Sequence, residues 1–469
     1  MFRLKKTGIV KSKCASEVVS SRLGIGFEKL DRAVFDPEKA YDKLANIGVK
    51  WVRIQSGWAR TETEKGIYDF AWLDSIVDNL IRRGLKPWMC VCYGNGIYDE
   101  LAQKVFGAVG CPPIRTEEQK TAWANYCTAL AAHYAGRVEH FEIWNEPDRP
   151  YSWKPAVNAT ELGEFTIATA KALKAGNINS FIIGCPVCDP PISYLNEAFQ
   201  TGVGKYIDAL SFHEYTCTEE NVRQKVFALR GISNMYAPGL EIVQGESGAQ
   251  SRFGGHGALH ECAWTERKQA KLLLRHLVMD LMCGVMFTSY FSCLDMIEAL
   301  HGLQGNVASY LDYGYFGVLG ADFDENGFSI GEYSPKQSYY ALQNLASLLC
   351  GEVKEIELPV FFEQFEAPHM WHTKDLSSNE TVYGGFRLNN GSYAVAYWKP
   401  MNLMTTEFEG TITLDCAICG KKAKLVDPMD GSIYEIPEEI AVADGHGGYQ
   451  YKHLPVKDYP LFLVFGDIE

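Results

Sequence analysis

Two glutamates stand where a reacting pair of carboxyl groups would be useful. Glu146 lies in the run Phe141-Glu142-Ile143-Trp144-Asn145-Glu146-Pro147-Asp148, and Glu246 in Val243-Gln244-Gly245-Glu246-Ser247-Gly248. Each follows a short apolar stretch of strand character, so each carboxyl falls at the carboxyl end of a strand. A carboxylic acid and a carboxylate in such positions suit cleavage of an acetal. One protonates the departing oxygen while the other meets the oxocarbenium-like carbon. Retention of configuration requires the two to lie about 5–5.5 Å apart, a span that two strands can bridge across a shared mouth.

Elements that would hold such a pair recur along the chain. Strand-like runs occur at Leu23–Phe27, Trp51–Gln55, Pro87–Cys92, Val138–Trp144, Phe181–Gly184, Ala209–Phe212, Glu241–Gln244 and Val285–Phe291. Helical spacing separates them, as at Pro37–Ile47, Trp72–Arg83, Glu117–Tyr134, Glu161–Leu173 and Glu266–Met282. Asp36 before Pro37 reads as an N-cap, and Gly48 and Gly84 as helix ends. Strand alternating with helix implies parallel pairing, and eight units predict a (β/α)8 TIM barrel over residues 21–350. The glutamates then close strands four and seven at the catalytic face. Gly24-Ile25-Gly26 lacks the third glycine of a dinucleotide site, which argues against an open nucleotide-binding sheet. After Cys350 the runs become short and alternating, with turns at Asn389-Asn390-Gly391 and Asp430-Gly431. Residues 351–469 are therefore expected to form an antiparallel β-sandwich, which the segment 1–20 can join with a strand.

The string Phe-Glu-x-Trp-Asn-Glu-Pro-Asp, with a second glutamate on strand seven, resembles the clan A glycoside hydrolases and most of all family 39, of β-xylosidases and α-L-iduronidases. Trp51-Val52-Arg53 and Gly66-Ile67-Tyr68-Asp69-Phe70 are further echoes. The family pairs a barrel with a β-sandwich, so the resemblance spans nearly the whole chain. Where its pattern has tryptophan two places before the phenylalanine, this chain has Glu139, which leaves the sugar open. The resemblance implies that Glu146 is the general acid/base and Glu246 the nucleophile. It implies that Asn145 binds the sugar 2-hydroxyl, that Arg53 keeps the nucleophile ionised, and that His213 and Tyr215 line the sugar site. Trp58, Tyr93, Asn95, Trp153 and Trp264, in loops after strands, are candidate subsite residues. Glu146 is expected to have a raised pKa, helped by the nearby charge of Glu246, so that it holds a proton near neutrality.

Other chemistries fit less well. Gly245-Glu246-Ser247-Gly248-Ala249 misses the last glycine of a nucleophile elbow. His256 and His260 have zinc-pair spacing, but Gly254, Gly255 and Gly257 oppose a helix there, and the loop reads as shaping the pocket beside Glu246. Asp322–Gly327 begins like a calcium loop, but position twelve is Tyr333, so Asn326-Gly327 reads as a hairpin turn. The Cys185/Cys188 and Cys416/Cys419 pairs read as buried thiols rather than a metal site. No metal and no cofactor are expected. A carbohydrate-binding protein without turnover would not need the paired glutamates, and a metal-dependent esterase would lose activity to chelators.

A net charge of -14 disfavours nucleic acid and anionic membranes as partners. No apolar run is long enough to span a bilayer. Met1–Lys13 is basic without the apolar core of a signal peptide, so fourteen cysteines read as reduced thiols in the cytoplasm, unless a leader has been removed. The expected partner is an oligosaccharide or glycoside. Exo-action on short β-linked xylosides, glucosides or galactosides is the first reading, and endo-action on a polysaccharide the alternative.

Overall fold

The computed structural model describes residues 4–366, 381–401, 408–418 and 423–468. The first strand, β1 (Lys5–Ile9), lies outside the barrel. The barrel then takes eight parallel strands in chain order. These are β2 (Leu23–Gly26), β3 (Trp51–Gln55), β4 (Lys86–Val91) and β5 (His140–Ile143). They continue with β6 (Phe181–Cys188), β7 (Ala209–His213), β8 (Glu241–Ser247) and β9 (Thr288–Tyr290). Leu23 of β2 pairs with Thr288 of β9, so the sheet closes on itself. This is the TIM barrel that the alternating pattern predicts.

Helices return the chain between strands, among them Ala71–Arg82, Glu117–His133, Ala159–Gly176 and Glu266–Met282. Their ends follow local chemistry. Thr116, Asn158 and Thr265 each accept a backbone N–H in the first helical turn. Gly84 takes φ +82°, a left-handed exit with almost no room for a Cβ beside Ser16.

The barrel interior divides into two layers along its axis. Below, Trp51, Trp88, Ile183, Ala209, Val243 and Phe287 pack into an apolar plug, with Trp51 stacked on Phe287 at 4.3 Å. Above, one pleat repeat further along β3, β5 and β7, the inward residues turn polar: Arg53, Glu142 and Ser211. Gly245 of β8 makes this layer possible. A Cβ there would lie 2.6 Å from Glu142 Oε1, 2.7 Å from Ser211 Oγ and 2.8 Å from His213 Nε2.

After β9 come the short strands β10 (Met296–Ile297) and β11 (Tyr313–Gly314), then the hairpin of β12 (Leu319–Phe323) and β13 (Ser329–Pro335). Asn326-Gly327 sits in that hairpin turn, where Asp324 Oδ1 accepts from the N–H groups of Asn326 and Phe328. The remaining strands are β14 (Lys354–Ile356), β15 (Val360–Glu366), β16 (Val382–Arg387), β17 (Tyr393–Trp398) and β18 (Gly410–Cys416). They end with β19 (Lys424–Asp427), β20 (Ser432–Glu435), β21 (Ala441–Ala443), β22 (Tyr449–Val456) and β23 (Leu461–Phe465).

They build an antiparallel seven-stranded sheet, β1-β20-β19-β23-β17-β16-β14, and a four-stranded one, β15-β18-β22-β21. The faces meet through Tyr397, whose hydroxyl donates to Pro455 O at 2.7 Å, and through Tyr451 against Phe465. Thus β1 adds the edge strand to this second unit by pairing with β20.

Buried ion pairs join the barrel to these sheets. Lys271 Nζ of the helix Glu266–Met282 lies 2.9 Å from Asp458, both side chains sealed from solvent. Arg275 of the same helix binds Glu219 and Glu220 of the loop after β7, and donates to Met401 O. The Trp398 indole also donates to Glu220, at 2.9 Å.

Candidate active site

A cleft of about 400 Å³ opens at the carboxyl ends of the strands, and Asn145, Glu146, Tyr215 and Glu246 all line it. The backbone turns sharply to aim Glu146 into it. Trp144 and Glu146 take φ of +73° and +46°, left-handed values for residues other than glycine. Each costs on the order of 1–3 kcal/mol, so neighbours must impose them. The Trp144 indole donates to Ser152 O at 2.7 Å, Glu146 N to Pro186 O at 3.0 Å, and Cys188 N to Asp148 Oδ1 at 2.9 Å.

Arg53 is the hub beneath the cleft. Its Nη1 lies 2.7 Å from Glu246 Oε2 and 3.0 Å from Glu28 Oε1. Its Nε and Nη2 both reach Glu142 Oε2, and Nη2 donates to Asn145 Oδ1 at 2.8 Å. Tyr215 donates to the other Glu246 oxygen, Oε1. His213 Nδ1 stands between the two glutamates, 3.1 Å from Glu146 Oε1 and 3.9 Å from Glu246 Oε2. One atom each of Glu146, His213 and Glu246 lie within 4.8 Å of one another.

That trio is the only such grouping found among the described residues. Its oxygens are nevertheless engaged by donors, Arg53 and Tyr215 on Glu246 and Tyr151 on Glu146. A guanidinium in direct contact also opposes a divalent cation there.

Electrostatics depart from expectation at Glu146. Burial pushes its carboxyl up, but the hydrogen bond and charge of His213, with a hydrogen bond from Tyr151, outweigh burial and hold it below the ordinary carboxylate range. The expected raised pKa is therefore not found. His213 shows the converse: burial disfavours its charge, yet Glu142, Glu146 and Glu246 push it up to about 10. Glu142, also buried, is brought down to about 2 by Arg53, His213 and Ser211.

Residues 34–231 match the model of glycosyl hydrolases family 39. Over that stretch the chain is similar to family 39. That stretch contains Arg53, Asn145, Glu146, His213 and Tyr215 but ends before Glu246, whose place rests on geometry. A β-xylosidase of Geobacillus stearothermophilus is 25% identical over 161 residues, 32% of this chain and 31% of that protein. A β-galactosidase of Haloferax lucentense is 37% identical over 54 residues, 11% of this chain and 8% of that protein. The chain thus matches about a third or less of the length of these curated relatives. Among solved structures, a family 39 glycoside hydrolase of Bacteroides cellulosilyticus superposes with TM-score 0.63 at 17% identity, covering 95% of this chain and 81% of that one. A β-xylosidase of Caulobacter crescentus gives TM-score 0.59 at 14% identity over 97% of each chain. These two likenesses establish the fold that this chain shares with family 39 members.

The loop candidates divide. Tyr93 lines the cleft, with Arg32 over its ring at 5.4 Å. Trp58, Asn95, Trp153 and Trp264 are not among the cleft-lining residues. Trp58 stacks on Tyr98 and donates to Glu62, and Asn95 donates to Glu62 O. Trp153 packs edge-on against Trp144, and Trp264 packs with Ala249 and Leu272. Each ring fills a gap behind the wall because burying its large apolar face there is favourable.

His256 and His260 are exposed, whereas Gly257 and Ala258 between them line the cleft. Ser247 is buried with Oγ unpartnered, away from the cleft. Cys185 is buried, Cys188 lines the cleft, and Cys416 is buried; Cys419 lies outside the described residues.

Among the residues that spacing did not single out are Glu28, Tyr151 and Glu298, which line the cleft, and Glu142, which lies buried beneath it. Strand alternation from Gly26 to Glu28, and between Glu142 and His140, was an available signal for Glu28 and Glu142. Tyr151 and Glu298 lie in loops, where spacing carries no such signal.

Proposed function

We propose that this chain is a retaining glycoside hydrolase in which Glu146 is the general acid/base and Glu246 the nucleophile. The observation that carries this reading is the approach of a Glu146 oxygen to within 4.8 Å of a Glu246 oxygen across the mouth. That is close to the separation of about 5–5.5 Å used for double displacement, and short of the roughly 6.5–9.5 Å that inverting enzymes use to seat a water beside the sugar.

In the first step Glu246 attacks the anomeric carbon while Glu146 gives its proton to the departing oxygen. In the second, Glu146 takes a proton from a water that displaces Glu246. Arg53 and Tyr215 hold both Glu246 oxygens, fixing its direction of attack. Asn145 gives its side-chain oxygen to Arg53, which leaves its amide N–H groups for the sugar 2-hydroxyl.

Short, neutral, β-linked xylosides, glucosides or galactosides, cut from one end, fit the cleft best. Its volume, about 400 Å³, lies near the lower end of the usual range for ligand pockets, about 300–1,000 Å³. One wall carries Lys29 paired with Glu298 at 3.2 Å, and Glu28 paired with Arg53. These polar side chains offer hydrogen bonds to sugar hydroxyls. The named relatives, a β-xylosidase and a β-galactosidase, agree in direction. A reducing compartment suits the cysteines, of which the described ones are all free. Among the described residues no helix is long and apolar enough to cross a membrane.

Release of nitrophenol from a panel of aryl glycosides tests the reading. Hydrolysis of one glycoside, lost in Glu246→Gln and restored in Glu146→Gln by azide, is the expected result. Comparable activity in Glu246→Gln would overturn the nucleophile assignment.

A further inference from the structure

Tyr151 follows Glu146 by five residues, and its hydroxyl donates to Glu146 Oε2 at 2.6 Å. Oε1 of the same carboxylate faces His213 Nδ1 at 3.1 Å. Both oxygens are therefore engaged before any glycoside enters. A carboxyl oxygen that carries a proton is a weaker acceptor than a carboxylate oxygen, so a donor on each side favours the ionised form.

The two donors differ in freedom. His213 is fully buried, with Nε2 3.6 Å from Glu142 and Nδ1 3.9 Å from Glu246. Tyr151 forms part of the cleft wall, with its ring edge-on to His301 at 6.5 Å. Other charged or titratable groups around Glu146 are Asp148 and Arg149 on its own loop, Cys188 at the end of β6, Tyr215 after β7, and Glu246 on β8. Among the described residues, Tyr151 is the donor to Oε2.

We propose that Tyr151 is an exchangeable positioning residue: it holds Oε2 while the cleft is free, yields it to the leaving-group oxygen, and returns once the leaving group departs. The proposal rests on the two-glutamate reading above. During glycosylation the C–O bond breaks, the Glu246–carbon bond forms, and the Glu146 proton goes to the departing oxygen at the position Tyr151 gives up. During deglycosylation the hydroxyl again donates to Oε2 and favours the carboxylate that must accept a proton from water. One side chain thus favours the base form when a base is needed and withdraws when an acid is needed.

The carboxyl titration of Glu146 tests this directly, followed by carbon NMR on glutamate-labelled protein and assigned by its loss in Glu146→Gln. In Tyr151→Phe the midpoint is expected to rise by about one pH unit, the equivalent of one hydrogen bond to a charged group. With a hydrolysed aryl glycoside, the alkaline limb of kcat/KM, which reports free enzyme, rises by a similar amount. The limb of kcat, which reports the complex where Tyr151 has already moved, stays in place. A packing role alone would lower both constants without separating the limbs. An unchanged Glu146 midpoint overturns the proposal, and so does an equal shift of both limbs. If wild type cleaves no glycoside, the two-glutamate reading fails while the titration still decides what Tyr151 does to Glu146. Should Tyr151→Phe not fold, Tyr151→Met removes the same donor and carries the same comparison.

Discussion

Arg53 grips Glu142 through two nitrogens at one oxygen, Nε at 2.9 Å and Nη2 at 2.5 Å from Oε2, with both side chains sealed from water. Glu142 is thus the counter-charge that lets Arg53 remain in the barrel interior while also serving Glu246. Glu142→Gln is expected to cost about 3–5 kcal/mol of stability, because it leaves a buried cation under-compensated. It should also lower kcat/KM at least about 100-fold by letting Arg53 shift, since small misplacements of a positioning group cost that much. Urea unfolding and steady-state kinetics check the two effects. A variant as stable and active as wild type would show that Glu142 is dispensable to the hub.

His213 makes stability depend on pH at the alkaline end. Its folded pKa of about 10 lies above the ordinary histidine value, so its contribution is complete below about 6.5 and is lost as pH rises through 10. The unfolding free energy of wild type should therefore fall between pH 7 and 10.5 by a few kcal/mol more than that of His213→Asn. Glu142, depressed to about 2, acts oppositely: its contribution is present above about 4.5 and is lost as pH falls towards 2. Parallel alkaline curves for wild type and His213→Asn would remove His213 from this account.

Gly245→Ala probes the space beneath the nucleophile. The added methyl would sit within 2.8 Å of three polar atoms on Glu142, Ser211 and His213. Overpacking of that kind costs about 1–3 kcal/mol, and here it would also tilt the polar layer that orients Glu246. A loss of activity larger than the loss of stability is the expected pattern, read from kinetics and thermal unfolding of the same preparation.

The joint between the barrel and the β-sheets is predicted to matter for stability and not for chemistry. Asp458→Asn should destabilise by about 3–5 kcal/mol by unbalancing Lys271, whereas Lys271→Met combined with Asp458→Leu should recover most of that loss. The kcat of both variants should match wild type at a temperature where each remains folded.

Chelators give the simplest check. A two-glutamate mechanism needs no metal, so activity measured after exhaustive treatment with EDTA should equal the untreated value. Loss that is restored by a divalent ion would redirect attention to the Glu146, His213 and Glu246 trio.

Much of the site was legible in the order of residues. Asn145-Glu146 at the fourth strand end and Glu246 at the seventh follow from strand counting, because the carboxyl ends of barrel strands face one mouth. Arg53, His213 and Tyr215 came from the family resemblance, and the fold gathers all three around the glutamates. The loop aromatics were not legible. Trp58 and Tyr93 both follow strands, yet one packs behind the wall and the other faces the cleft, since loop direction depends on contacts distant in sequence.

By itself the amino-acid sequence determined the barrel, the antiparallel sheets that follow it and the strand ends that carry the two glutamates. Period-two and helical patterns are local, and eight of them in alternation admit few topologies. Only the tertiary structure decided the charge states. Glu146 is held low rather than raised because His213 from β7 and Tyr151 from its own loop both meet it. Protonation answers to distances of a few ångströms between groups far apart in the chain, and neither spacing nor composition encodes those distances.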